Sequence, residues 1–179
     1  TALAELALSP KNYSAVLAVA TVFLVSQNQA RPLDAQELRV LQMATTEGSK
    51  VLAIPNLIKS IAAWASGQIA SQPDLSHKLL VVEAVSYLDG VPREALEDLI
   101  VALAGGAENS SGPDDARPFE DALLNLMSSH SDLDREVWGK FDEYRKKLER
   151  SSDQDVRERG KDLRHKIANI RRAATTASG

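Results

Sequence analysis

Apolar residues return at every third or fourth position along almost the whole of this 179-residue chain, in runs separated by prolines. Residues 10–28 carry Tyr13, Val16, Leu17, Ala20, Phe23 and Leu24, and residues 34–46 carry Leu38, Leu41 and Ala44 or Thr45. Residues 55–66 carry Leu57, Ile58, Ile61, Trp64 and Ala65, and residues 73–88 carry Leu75, Leu79, Val82 and Val85. Leu96, Leu99, Ile100 and Leu103 fall in 92–104; Phe119, Leu123, Leu126 and Met127 fall in 118–128. This is the period of an amphipathic helix, whereas a half-buried strand would alternate. Scarce aromatics (4%) and a core of Ala, Leu and Val suit close helix packing.

Proline fits the first helical turn, where its missing N–H has no intrahelical partner. Pro10, Pro32, Pro55, Pro73, Pro92 and Pro118 are therefore read as helix starts, and Pro113 as part of a loop. That loop, Gly105 to Asp115, combines turn-forming Gly and Pro with Asn, Asp and Ser that compete for the backbone.

Beyond it, residues 132–150 place Leu133, Val137, Trp138, Phe141, Tyr144 and Leu148 on one stripe. Residues 153–173 place Val156, Gly160, Leu163, Ile167 and Ile170 on another. Ser151-Ser152-Asp153 reads as a tight turn ending in an N-cap, and Gly160 as a point of close helix approach. The expected fold is all-α: an irregular bundle or array of about eight antiparallel-paired helices, ending in a charged hairpin that projects from the body. The expected organisation is a helical body over 1–104, a flexible loop over 105–117 and a helical part over 118–179, one domain overall.

Several chemistries are excluded. Without cysteine there is no disulfide, no thiolate nucleophile and no Cys-ligated metal. His77, His130 and His165 lack the spacing of a helical metal site, and all three are expected to be isolated, facing solvent or capping a helix. No metal and no small-molecule cofactor is expected. Thr45 to Lys50 contains Gly-Ser-Lys without the glycine order of a phosphate loop. Glu94, Glu97 and Asp98 form one carboxylate cluster, with Glu94 in a first helical turn where the dipole favours it. Asp114 and Asp115 form another, read as loop residues. Trp64 and Trp138 lie on apolar stripes and are assigned to the core. The apolar run Ala15 to Val25 is too short to cross a bilayer, which takes about 20 residues, and reads as a buried helix. The chain opens on Thr1 rather than Met, so a targeting segment upstream would not be visible.

Charge singles out the C-terminal quarter. Residues 1–130 hold 8 basic and 15 acidic residues; residues 131–179 hold 13 basic and 10 acidic. Interleaved charges at helical spacing predict self-pairing of Asp142 with Lys146, Glu143 with Lys147, Glu158 with Lys161 and Asp162 with Lys166. The candidate partner-binding residues on this basic face are Arg145, Lys146, Lys147, Arg150, Arg157 and Arg164. An acidic protein surface suits such a mixed face better than nucleic acid does.

Two resemblances bear on function. The run Asp153-Gln154-Asp155-Val156-Arg157, followed by Leu163 and Ile167, is similar to the second helix of a HEAT-type repeat, although no second copy recurs at a period of about 40 residues. Taken whole, a cysteine-free helical domain rich in Ala, Leu, Asp and Arg resembles the C-terminal ubiquitin-ligase (XL-box) domain of XopL-type type III effectors. That resemblance rests on no motif and carries over no site residue. It implies a ligase that cannot hold ubiquitin as a thioester and instead positions a charged E2 conjugating enzyme for transfer. It also implies secretion into a host cell. The rival expectations are a HEAT- or armadillo-like adaptor without activity and a helical nucleic-acid binder.

Overall fold

The computed structural model describes residues 57–177, together with Asp34, Leu38 and Arg39. The expected helix over 10–28, most of that over 34–46, and the Thr45 to Lys50 segment lie outside the described residues. Leu38 and Arg39 are helical, and Leu38 is buried in the common core.

Among the described residues six helices follow: α1 (Leu57–Ser71), α2 (Leu75–Val85), α3 (Arg93–Glu108), α4 (Pro113–Ser129), α5 (Gly139–Glu149) and α6 (Gln154–Ala177). Among the described residues there is no strand, and no helix is long and apolar enough to cross a membrane. Within each consecutive pair the helices pack together: α1 on α2, α3 on α4, α5 on α6. First helices also stack on first helices (α1 on α3, α3 on α5) and second helices on second helices (α2 on α4, α4 on α6). The connections explain this order. Three residues join α1 to α2 and four join each of the other pairs, whereas seven and nine residues run between pairs. Short links force antiparallel neighbours; longer ones let the chain step to the next pair. The described residues thus form a two-layer array of three helix pairs around one apolar core, including Ile61, Leu96, Leu99, Phe119, Leu123 and Phe141.

Local chemistry sets the boundaries. Asp74 caps α2 by accepting from the N–H groups of Ser76 (3.3 Å) and His77 (3.1 Å). Asp153 does the same for α6, from Asp155 (2.8 Å) and Val156 (3.2 Å), as the Ser-Ser-Asp turn predicts. Gly90 takes a positive φ of 67° in the turn before α3, where a β-carbon would be strained.

The loop expected over 105–117 shrinks to 109–112. Helix α3 runs through Gly105 and Gly106 because Gly106 serves packing rather than turning: a β-carbon there would overlap the Phe119 ring. Pro113 is a helix start after all, at the first position of α4, and Asp114 and Asp115 lie in that helix's first turn, where the dipole favours them. Pro118, read as a start, sits inside α4, and the carbonyl it leaves free belongs to exposed Asp114. Helix α5 begins seven residues later than the expected 132, because Asp134 Oδ1 accepts from the N–H groups of Glu136 and Val137 and turns the chain first.

The last pair does not stand off from the body. Phe141 and Tyr144 of α5, with Leu163 and Ile167 of α6, are buried in the shared core, and the two helices rest on α3 and α4.

Candidate functional site

Three polar arrangements stand out. The first is buried between α4, α5 and α6. Glu120, with 6% of its side chain exposed, lies on the core-facing register of α4. Its Oε1 accepts from the Tyr144 hydroxyl at 2.5 Å and lies 3.1 Å from Arg159 Nε, an ion pair whose N–H is not aimed for a hydrogen bond. Arg159 Nη2 donates to the Tyr144 oxygen at 2.9 Å. Burial, and then the neighbouring Glu120 carboxylate, push the Tyr144 hydroxyl far above its ordinary pKa, against the opposing pull of Arg159. Tyr144 and Arg159 also wall a cleft of about 510 Å³ beside the 109–112 turn. The Tyr144 hydroxyl and the Arg159 charge are engaged with one another and with Glu120, so the cluster is a bolt joining three helices.

The second is His130, expected at a cap or in solvent. It does occupy the C-cap of α4, but it is buried, at 4% exposure. Its Nε2 accepts from the Val91 N–H (3.0 Å) while Nδ1 faces the Leu126 carbonyl (2.9 Å). An N–H donor at Nε2 fixes the neutral Nδ1–H tautomer. This imidazole therefore ties the turn before α3 to the end of α4. His165 is exposed and His77 half-buried.

The third is a groove of about 400 Å³ along the seam of α5 and α6, where five arginines and one aspartate (Arg135, Arg145, Arg164, Arg171, Arg172 and Asp142) surround Ile167, Ala168 and Thr175. Its walls contain no residue of α3 or α4. The seam exists because Gly160 lets the helices close: a β-carbon there would stand 2.8 Å from the Glu149 backbone nitrogen and 3.0 Å from Leu148 Cβ. Across it runs a ladder of alternating charge. Arg171 reaches Asp142 (3.5 Å), and Asp142 also meets Arg145 (3.5 Å). Arg145 meets Glu149 (2.8 Å), and Glu149 meets Arg164 (3.5 Å). Arg145, the middle rung, is 12% exposed; Arg171 and Arg164, the end rungs, are 31% and 55% exposed.

The six sequence-predicted binding residues are thus divided. Arg145 and Arg164 line the groove. Lys147 turns to Glu108 (2.9 Å), and Arg157 donates to the carbonyls of Ser151 and Ser152, closing the turn before α6. Lys146 and Arg150 are exposed and outside the groove. Glu158–Lys161 (2.7 Å) and Asp162–Lys166 (2.9 Å) pair as the spacing predicts. Asp142 and Glu143 choose other partners: Asp142 serves the ladder and Glu143 takes Lys140 at 2.8 Å. Arg171 and Arg172 join it because α6 returns antiparallel to α5, and Arg135, which no sequence argument grouped with Arg145, arrives from the turn before α5. Among the described residues no group of three or more His, Asp or Glu side chains could hold a metal ion. No protein-family model, no curated protein and no solved structure matches the chain.

Proposed function

We propose that this chain is a protein-binding helical array that docks an acidic partner on the arginine groove between α5 and α6. The observation that carries the reading is the surplus of cations there, with five arginines against Asp142 within the groove and Glu149 beside it. Guanidinium forks suit carboxylates, and an excess of one sign in a groove steers an oppositely charged surface toward it. Asp142 and Glu149 within the ladder disfavour nucleic acid, since a phosphate backbone would meet two fixed negative charges.

In its specific form, drawn from the XL-box resemblance, the partner is an E2 enzyme charged with ubiquitin. The domain then acts by orientation, with no covalent role for any side chain. The second reading is an adaptor without activity. The stacking of first helices on first and second on second favours it, because that is how HEAT-type arrays are built. Their helix starts recur 36 and 46 residues apart for α1, α3 and α5, and 38 and 41 apart for α2, α4 and α6.

Docking is tested by titrating labelled polyglutamate and polylysine peptides in low and moderate salt. Polyglutamate should bind, more weakly as salt rises, and Arg135→Glu with Arg172→Glu should abolish it. Lys146→Glu with Arg150→Glu should leave it intact; the reverse ranking would move the interface out of the groove. A ubiquitination reaction with a panel of E2 enzymes separates the two forms. Chain formation with any of them supports the ligase, and none with all of them leaves the adaptor.

A further inference from the structure

The arginine groove does not end at the arginines. Arg135, Arg171 and Thr175 also line a neighbouring cleft of about 660 Å³, so the two concavities share a wall. This second cleft lies between the end of α4, the 131–138 turn and the last turns of α6, and its floor is apolar: Met127, Leu133, Trp138, Ile170 and Ala174. Trp138 and Met127 are each 2% exposed, while Leu133 and Ile170 are half-buried and packed on the core. Two carboxylates stand on its rim. Asp134 is held by Arg93 (3.1 Å) and by two backbone N–H groups, and Asp132 is exposed.

We infer that the joined surface accepts an acidic peptide segment bearing a bulky apolar side chain beside its carboxylates, with that side chain seated against Leu133, Trp138 and Ile170. This rests on the docking reading above and names its partner more closely. Charge complementarity supplies the occupant: an apolar residue in the cleft places its neighbours in the peptide beside Arg135 and Arg171 on the shared wall. A purely anionic ligand would use the arginines and leave the apolar floor wet. A purely apolar one would leave the arginines unanswered. The cleft pairs an apolar floor with a charged rim in near-equal measure, and a buried apolar anchor ringed by charge is the usual form of a binding hot spot.

The test uses short acidic peptides that differ at one central position: leucine, p-bromophenylalanine or serine, beside polyglutamate of equal charge. The chain carries two tryptophans, so Trp64→Phe leaves Trp138 as the only indole reporter. The leucine and bromophenylalanine peptides should bind about tenfold more tightly than the serine peptide. Bromophenylalanine should quench Trp138 emission by heavy-atom contact. Ala174→Phe, near the end of α6, fills the cleft and should erase the tenfold preference while leaving polyglutamate binding unchanged. Equal affinity of serine and leucine peptides, or no quenching, overturns this inference and leaves acidic docking standing. Failure of every acidic peptide to bind overturns both.

Discussion

Gly160→Ala and Gly67→Ala are the same chemical change in two helix interiors, and the structure requires them to have opposite signs. In the middle of a helix, alanine is favoured over glycine by about 0.8–1 kcal/mol. Nothing lies within 4 Å of the added methyl at exposed Gly67, so most of that gain, about 0.5–1 kcal/mol, should appear as stability. At Gly160 the same methyl falls 2.8 Å from the Glu149 nitrogen, 2.9 Å from Glu149 Cγ and 3.0 Å from Leu148 Cβ. A backbone nitrogen cannot rotate aside, so α5 and α6 must part by several tenths of an ångström. Overpacking of this kind costs about 1–3 kcal/mol, which outweighs the helical gain and leaves a net loss of about 1 kcal/mol. The two variants should then differ by about 2 kcal/mol, or several degrees in Tm for a chain of this length. Urea melts provide the cleaner measure: the midpoints should move in opposite directions with unchanged slopes. A stabilising Gly160→Ala would show that the seam is looser than described, and with it the ladder geometry would fall.

The remaining predictions concern the buried polar groups. Glu120→Ala strands the Arg159 charge and the Tyr144 hydroxyl and should cost about 1–3 kcal/mol, whereas Tyr144→Phe, which keeps the ion pair, should cost less; equal costs in chemical denaturation would contradict the bolt. Because the folded Tyr144 hydroxyl sits far above its unfolded value near 10, its contribution to stability is full below that pH and declines as pH rises beyond it. Tyrosinate absorbance in an alkaline titration should therefore show a tyrosine that ionises only as the chain unfolds, a step absent from Tyr144→Phe. His130→Ala removes the acceptor for the Val91 N–H and should speed hydrogen exchange at that amide selectively; uniform acceleration across the core would instead indicate global loosening.

How far the sequence revealed this molecule depends on how local the cause was. Asp153, Gly160 and the six stripes were legible because a cap, a close approach and an amphipathic face each follow from residues within a turn or two. The 105–117 segment was misread because glycine has two uses. Gly106 makes room for Phe119, thirteen positions on, and nothing within its own turn indicates that. Glu120 and His130 gave a signal that could have been used. Each continues the apolar register of α4 through Phe119, Leu123, Leu126 and Met127, and a polar group in that register must find a buried partner. The partner could not be named, because Arg159 and Val91 arrive from a helix and a turn far away in the sequence. The groove was the least legible. Its arginines lie on two helices and a turn, and only the antiparallel return of α6 brings Arg171 to Asp142.

On the docking reading proposed above, the ladder is what lets the groove bind a partner and not merely pair with itself. A face whose charges cancelled would offer a partner nothing beyond the exchange of one ion pair for another, at a desolvation cost. Here Asp142 and Glu149 each bridge two arginines, so two carboxylates hold three guanidinium groups in place while leaving one positive charge unbalanced. Arg135 and Arg172 raise the surplus at the rim, where Arg172 is steadied by Asn169 Oδ1 at 2.6 Å. The central rung, Arg145, is already largely removed from water by its own carboxylates, so a partner need not desolvate it. Incoming carboxylates therefore meet cations that are oriented and still partly hydrated, which is the arrangement that favours fast, salt-sensitive association. Asp142→Asn separates the two roles of the ladder. It adds to the net positive charge of the groove while removing what orients Arg145 and Arg171. If charge alone governs docking, polyglutamate should bind more tightly to this variant; if orientation governs it, binding should weaken despite the added charge. The geometry favours orientation, and tighter binding by the variant would refute it.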